Sequence, residues 1–263
     1  MKKKRKARKK KIKAFILIVI LITLGIAFAF YMMNSNLEPD IEDNNNDNTN
    51  VNDNNNNSDN TNNQNVISEP SYANAKPTDL TRGNLILVNK ENFLPRDFVP
   101  SNLTNIAANH GRSLRIKTEV YEAFKKMFAA AELEGLNLYI VSAYRSWSNQ
   151  NSIFNNFVAR DGVEAAETYS ARPGHSEHQT GLAIDIVAGE GGQMRAFVNT
   201  MEYSWLVANA HKYGFILRYP NGKTHITGFI YEPWHWRFLG VEMANRVRNS
   251  NLTFDEFYAR YIN

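Results

Sequence analysis

Residues 170–187 read SARPGHSEHQTGLAIDIV, and they restrict the possible folds more than any other stretch of the chain. Pro173-Gly174 stops any helix that precedes it. His175, Ser176, Glu177 and His178 then round a polar loop, and residues 181–187 alternate as a strand does. Leu182, Ile184 and Ile186 share one face, Ala183 and Asp185 the other. A carboxylate beside a small residue leaves room for an ion, and His178 stands seven residues before Asp185. A third ligand has to come from elsewhere.

Downstream, residues 231–238 read YEPWHWRF and place Glu232 three residues before His235. Alone, a histidine near an aspartate is usually a hydrogen-bonded polar pair. Taken together, two imidazoles, one carboxylate and a further glutamate make a catalytic zinc constellation. It has three protein ligands, an open fourth position for water, and a base.

These two motifs together resemble the signature of the VanY-like D-alanyl-D-alanine carboxypeptidases, zinc peptidases of the Hedgehog/D,D-peptidase fold. The family core S-x-H-x-x-G-x-A-x-D is matched by Ser176, His178, Gly181, Ala183 and Asp185, and the later E-x-x-H by Glu232 and His235. The resemblance covers residues from about 80 to the C-terminus. It implies an α+β domain in which a small antiparallel sheet is flanked by helices. It also implies Zn2+ held by His178, Asp185 and His235, with Glu232 as the general base. The Y-R-S…Q element of the family falls on Tyr144, Arg145, Ser146 and Gln150, which makes Arg145 and Gln150 expected parts of the substrate cleft. Ser176 matches a further substrate-contacting position, although a structural hydroxyl is nearly as plausible there. An arginine suits this place because its fixed fork of donors fits a carboxylate or a developing oxyanion. The substrate implied is the stem peptide of peptidoglycan, losing a C-terminal D-alanine by D,D- or L,D-cleavage.

Charge is unevenly spread. Ten of the thirty Lys and Arg residues lie in residues 1–13 and none in residues 14–75. From Lys76 onward 20 basic residues face 18 acidic ones, a balance of only +2. The body of the protein therefore gives nucleic-acid binding no support. Residues 1–13 read as a basic cytoplasmic tail and residues 14–33 as a transmembrane anchor. Twenty apolar residues at about 1.5 Å each span about 30 Å, the thickness of a hydrocarbon core. The positive end should stay inside, leaving the catalytic domain extracellular. Ala27-Phe28-Ala29 offers a signal-peptidase pattern, but the apolar run exceeds the usual length of about 7–15 residues for a cleaved signal. Residues 34–77 read as an Asn/Asp-rich disordered linker, with sixteen Asn in residues 34–65 and little to bury. Residues 78–263 are the expected zinc carboxypeptidase domain. A monomer is expected.

Within that domain, residues 84–90 read as a strand and residues 92–100 as a loop. Residues 115–134 read as a helix striped with Val120, Phe124, Met127, Phe128 and Ala131, stopped by Gly135. A strand at 136–141 leads into Tyr144-Arg145-Ser146, and a helix covers 149–158. Residues 201–213 read as a helix, 215–219 and 228–231 as strands paired around the turn dipeptide Asn221-Gly222, and 241–247 and 254–261 as terminal helices. His175, His211 and His225 match no ligand pattern.

Other chemistries are excluded. The chain has no cysteine, which removes thiolate zinc sites and cysteine transpeptidases. No Ser stands three residues before any Lys in the domain, so the serine S-x-x-K apparatus is missing. The rivals are a non-catalytic wall-binding module and a Hedgehog-type signalling domain on the same fold. Survival of all four metal-site residues argues against the first, and the missing autoprocessing cysteine against the second.

Overall fold

The computed structural model describes residues 71–107 and 113–263. The expected anchor at 14–33, the basic tail and most of the linker lie outside the described residues. Among the described residues no helix is long and apolar enough to cross a membrane.

The chain enters through β1 (Lys76–Pro77), which pairs in parallel with β2 (Asn92–Phe93). An antiparallel pair follows, β3 (Leu103–Ala107) with β4 (Ser113–Lys117), and then helix α1 (Thr118–Glu132). Strand β5 (Leu138–Ser142) precedes helices α2 (Trp147–Asp161) and α3 (Val163–Tyr169). Strand β6 (Ala183–Ala188), helix α4 (Met201–Asn209), strand β7 (Phe215–Leu217) and a helical turn α5 (Thr224–Thr227) come next. Strand β8 (His235–Phe238) and helices α6 (Val241–Ser250) and α7 (Phe254–Tyr261) complete the domain.

Four strands form the central sheet in the order β5-β6-β8-β7, every neighbour antiparallel. The small antiparallel sheet flanked by helices is thus observed. Its apolar face is built by alternation: Leu182, Ile184 and Ile186 of the β6 segment and Trp236 and Phe238 of β8 pack into one cluster with Val120, Phe124, Met127 and Ala131 of α1 and Trp205 and Leu206 of α4. The α1 residues fall on a single helical stripe, which is why this helix lies flat on the sheet. A second cluster joins Ile216 to Ala244, Val247, Phe254 and Phe257, fastening α6 and α7 to β7.

Three local expectations are corrected. Residues 84–90 are not a strand. A 3-10 turn spans Leu80–Leu85, with Gly83 at φ 56°, and the carbonyls of Asn84 and Ile86 accept from the Arg237 guanidinium. The Leu87 carbonyl accepts from the Thr78 hydroxyl, so side chains occupy acceptors that a strand ladder would have used. Residues 228–231 are not the partner of β7 either. The turn after Pro220 runs into α5, closed by Gly228 in the left-handed region, and β7 pairs instead with β8. Lastly, the helix expected from residue 115 starts at Thr118, because Ser113–Lys117 is taken up by β4. The pair β3–β4 and helix α3 carried too little periodicity to be read.

The chain is also engaged earlier than composition suggests. Tyr72 packs edge-on against His175, and the Arg172 guanidinium lies over its ring.

Candidate active site

Two features of the sheet assemble the site. In β6 and β8, Asp185 stands opposite His235 and Ala183 opposite Arg237, all on the face away from the apolar core. The small residue at 183 shares that face with Asp185, as its alternation implies, and stands opposite Arg237 across the strands. In β5 the register against β6 shifts between Ile140 and Ser142, so that Ser142 pairs with Asp185. Such a bulge bends a strand and re-aims the residues after it. Here it delivers Ser142, Ala143 and Arg145 to the same place.

His178 arrives on the 3-10 turn Glu177–Thr180, which ends at Gly181 with φ 70°. A side chain at 181 would be strained in that backbone conformation and would press on Lys117 and Leu103. This is the physical reason for the glycine in the motif.

All seven residues singled out from the sequence line one cleft of about 370 Å³: Arg145, Gln150, Ser176, His178, Asp185, Glu232 and His235. One donor atom each from His178, Asp185 and His235 lies within 4.8 Å of the others. The His178 Nδ1 is 2.7 Å from the Ala143 carbonyl, which can only accept, so the hydrogen sits on Nδ1 and the Nε2 lone pair is free. That Nε2 lies 3.4 Å from Asp185 Oδ2, and His235 Nδ1 lies 3.5 Å from Asp185 Oδ1. Two ligands of a tetrahedral zinc, each about 2.0–2.1 Å from it, stand about 3.3–3.4 Å apart. Asp185 Oδ1 is moreover buried with no hydrogen-bond partner among the described residues. Three converging donors around an orphaned carboxylate oxygen fit a zinc ion.

The electrostatics agree. Burial alone would push the Asp185 carboxyl up, but His178, His235 and Arg145 hold it down at about 2. Burial pushes His178 below the ordinary imidazole range, with Arg145 and His235 adding to the effect and Asp185 opposing it. Glu232 differs: burial, helped by the Asp185 and Glu177 charges, raises it to about 8 against the pull of His235 and Arg145. Its Oε2 lies 3.5 Å from His235 Nδ1.

Arg145 is held rigidly. It donates to Gln150 Oε1 at 2.6 Å and to Ser142 Oγ at 3.1 Å, and its backbone N–H donates to the His178 carbonyl. Ser146 caps α2 by accepting from the Asn149 N–H. Gln150 is buried, and its amide nitrogen donates to the Ala171 carbonyl at 2.7 Å, so both of its ends are engaged by protein. His175 bonds to the Asn89 carbonyl and packs on Phe93 and Tyr72, with no part in the donor set.

Sequence reasoning missed Glu177, Tyr219, Arg218 and Arg237. Tyr219 lies with its ring centroid 4.9 Å from that of His235. Glu177 is buried between Arg218, Arg237 and His235. The one signal for Glu177 and Arg237 was their position, one residue before His178 and two after His235.

A family model for VanY, D-alanyl-D-alanine carboxypeptidase, matches residues 113–241. A D-alanyl-D-alanine carboxypeptidase of Enterococcus faecalis is 35% identical over 199 residues, which cover 72% of this chain and 71% of the relative. Among solved structures, the LdcB LD-carboxypeptidase, described with the molecular basis of its peptidoglycan recognition, is 37% identical with a TM-score of 0.66. The match covers 74% of this chain and 98% of LdcB. The vancomycin-resistance D,D-pentapeptidase VanY, solved as a mutant with Zn(II), is 35% identical with a TM-score of 0.58, over 66% of this chain and 98% of that one. A mixed helix and sheet domain with this cleft is of the carboxypeptidase class. The chain belongs to the VanY-like D-alanyl-D-alanine carboxypeptidase family.

Proposed function

We propose that this carboxypeptidase is a zinc enzyme that removes the C-terminal D-alanine from peptidoglycan stem peptides, with His178, Asp185 and His235 as the metal ligands. The observation that carries the reading is the convergence of those three donors, with an Asp185 carboxylate oxygen buried and lacking a hydrogen-bond partner among the described residues. Zinc, when bound, supplies Lewis acidity and lowers the pKa of a coordinated water.

The chain's own residues divide the remaining work. Glu232 takes the proton of the attacking water and returns it to the leaving amine nitrogen. Its place three residues before His235, on the same turn of chain, keeps the base beside the ligands. Arg145 meets the negative charge of the substrate, whether the C-terminal carboxylate or the oxyanion that develops at the carbonyl. Gln150 and Ser142 fix the guanidinium in one plane, so little reorganisation is needed when charge appears. Ser176 lines the cleft next to these groups and is assigned to substrate contact.

The proposal extends to location. Residues 1–33 anchor the protein in the cell membrane with the domain outside, and the Asn-rich stretch tethers it. Recovery of the full-length protein in the membrane fraction, with a C-terminal reporter active only outside the cytoplasm, tests this. A mature form starting near Phe30 would show cleavage instead.

Defined stem tetra- and pentapeptides incubated with the zinc-loaded domain, with the released residue identified by mass, test the reaction. Release of D-alanine from the pentapeptide defines D,D-cleavage, and release from the tetrapeptide defines L,D-cleavage. Release from neither, with zinc bound, overturns the proposal.

A further inference from the structure

Glu177 lies between Ser176 and His178 but shares neither role. It is only 1% exposed. Its Oε1 accepts from Arg218 Nε at 2.7 Å and from Arg237 Nη1 at 2.6 Å, and its Oε2 lies 3.4 Å from His235 Nε2. Both arginines are fully buried. Arg218 is held in turn by Asp255 of α7, and Arg237 by the carbonyls of Asn84 and Ile86. Burying two guanidinium groups around a carboxylate is costly, and apolar side chains could fill the same space at less cost. Such a cluster calls for a use.

The use follows from hydrogen-bond chemistry. A carboxylate only accepts, so where it is hydrogen-bonded to an imidazole nitrogen, as Glu177 Oε2 is to His235 Nε2, that nitrogen carries the hydrogen. Glu177 Oε1 is engaged by two guanidinium groups, which can only donate, so the carboxyl is held as an acceptor. In a neutral imidazole with hydrogen on Nε2, the lone pair is on Nδ1. That atom is the one facing Asp185 and Glu232.

We propose that Glu177 is a positioning residue for the metal site, taking the Nε2 hydrogen of His235 and so turning the Nδ1 lone pair toward Asp185. Partners of this kind orient metal-binding histidines and fix their tautomer. Replacement by glutamine keeps the shape and reverses the pattern. With the amide oxygen retained by the two arginines, the amide nitrogen faces His235 Nε2 as a donor. The imidazole hydrogen then moves to Nδ1, where it blocks the ligand position.

The inference rests on the zinc reading only for its affinity readout, because the tautomer belongs to the metal-free protein. Long-range proton–nitrogen NMR of the metal-free wild type at alkaline pH, with the His235 signals identified by their loss in His235→Ala, should show hydrogen on Nε2. Hydrogen on Nδ1 overturns the proposal, and this measurement decides even if Glu177→Gln does not fold. In a zinc competition titration, Glu177→Gln should bind about 10–100-fold more weakly than wild type. Asp255→Asn, which loosens the same Arg218 without touching His235, should bind zinc as wild type does. Wild-type affinity in Glu177→Gln, or equal losses in both variants, overturns the positioning role. A wild type with hydrogen on Nε2 that takes up no zinc would support the tautomer and sink the zinc reading.

Discussion

On one face of β6 and β8, Ile184 stands opposite Trp236; on the other, Asp185 stands opposite His235. The four residues are almost equally buried, at 0%, 2%, 3% and 4% exposure. Burial therefore does not tell the faces apart, and chemistry does. The apolar face removes large side chains from water and stabilises the domain. The polar face buries Glu177, Arg218, Arg237, Asp185 and two histidines, groups whose desolvation works against folding. One strand pair thus supports the fold with alternate residues and holds the candidate metal ligands Asp185 and His235 with the residues between. Substitutions on the two faces should separate activity from stability.

The largest effect is expected on the polar face. His178→Ala or His235→Ala should abolish zinc retention and hydrolysis together, while the far-ultraviolet circular dichroism stays that of the folded domain. Undiminished turnover by chelator-stripped protein would defeat the metal assignment outright.

Next is the contrast between base and ligand. Glu232→Ala should keep its zinc and lose about 10²–10⁴-fold in rate, the usual effect of losing a positioned base. Asp185→Ala should lose the metal as well. Zinc stoichiometry and turnover measured on the same preparations decide the matter. Loss of metal in Glu232→Ala would make that residue a ligand.

A substitution on the apolar face should do the reverse. Ile184→Ala empties space in the main core and should cost about 2–5 kcal/mol in denaturant unfolding. Turnover per folded molecule should stay within a few-fold of wild type. A collapse of activity in protein that remains folded would mean that the two faces are coupled through the strand.

The same comparison explains what could be read from the sequence. Leu182, Ile184 and Ile186 alternate, and Val120, Phe124, Met127 and Ala131 recur at helical spacing, so the apolar face and α1 were legible as periodicity. The candidate metal ligands were picked out by two motifs that together resemble the VanY-like signature, one of whose positions, Gly181, carries a backbone constraint. The contacts of the polar face were not. Arg218 and Arg237 look like ordinary surface charges in a string of letters, yet both are fully buried, and their partners lie 41 and 60 positions away at Glu177. Asn84 and Ile86 were read as a strand for the same reason, since the arginine that claims their carbonyls is more than 150 positions distant. Long-range side-chain bonds leave no local period to detect.

The smallest effect is expected furthest from the strands. Thr253 caps α7: its hydroxyl accepts from the Glu256 N–H at 3.2 Å, and the Glu256 carboxylate accepts from the Thr253 N–H at 2.7 Å. Removing this cap with Thr253→Ala should cost about 0.5–2 kcal/mol, measured by urea unfolding. The helix it starts reaches the site through Asp255, Arg218 and Glu177 in turn. Phe254 and Phe257, packed in the second core, should hold α7 in place after the cap is lost. Zinc affinity and turnover should then match wild type below the unfolding transition. If either falls while the domain is folded, the first turn of α7 orients His235 as well as stabilising the domain, and the functional face of the sheet extends to the C-terminal helix.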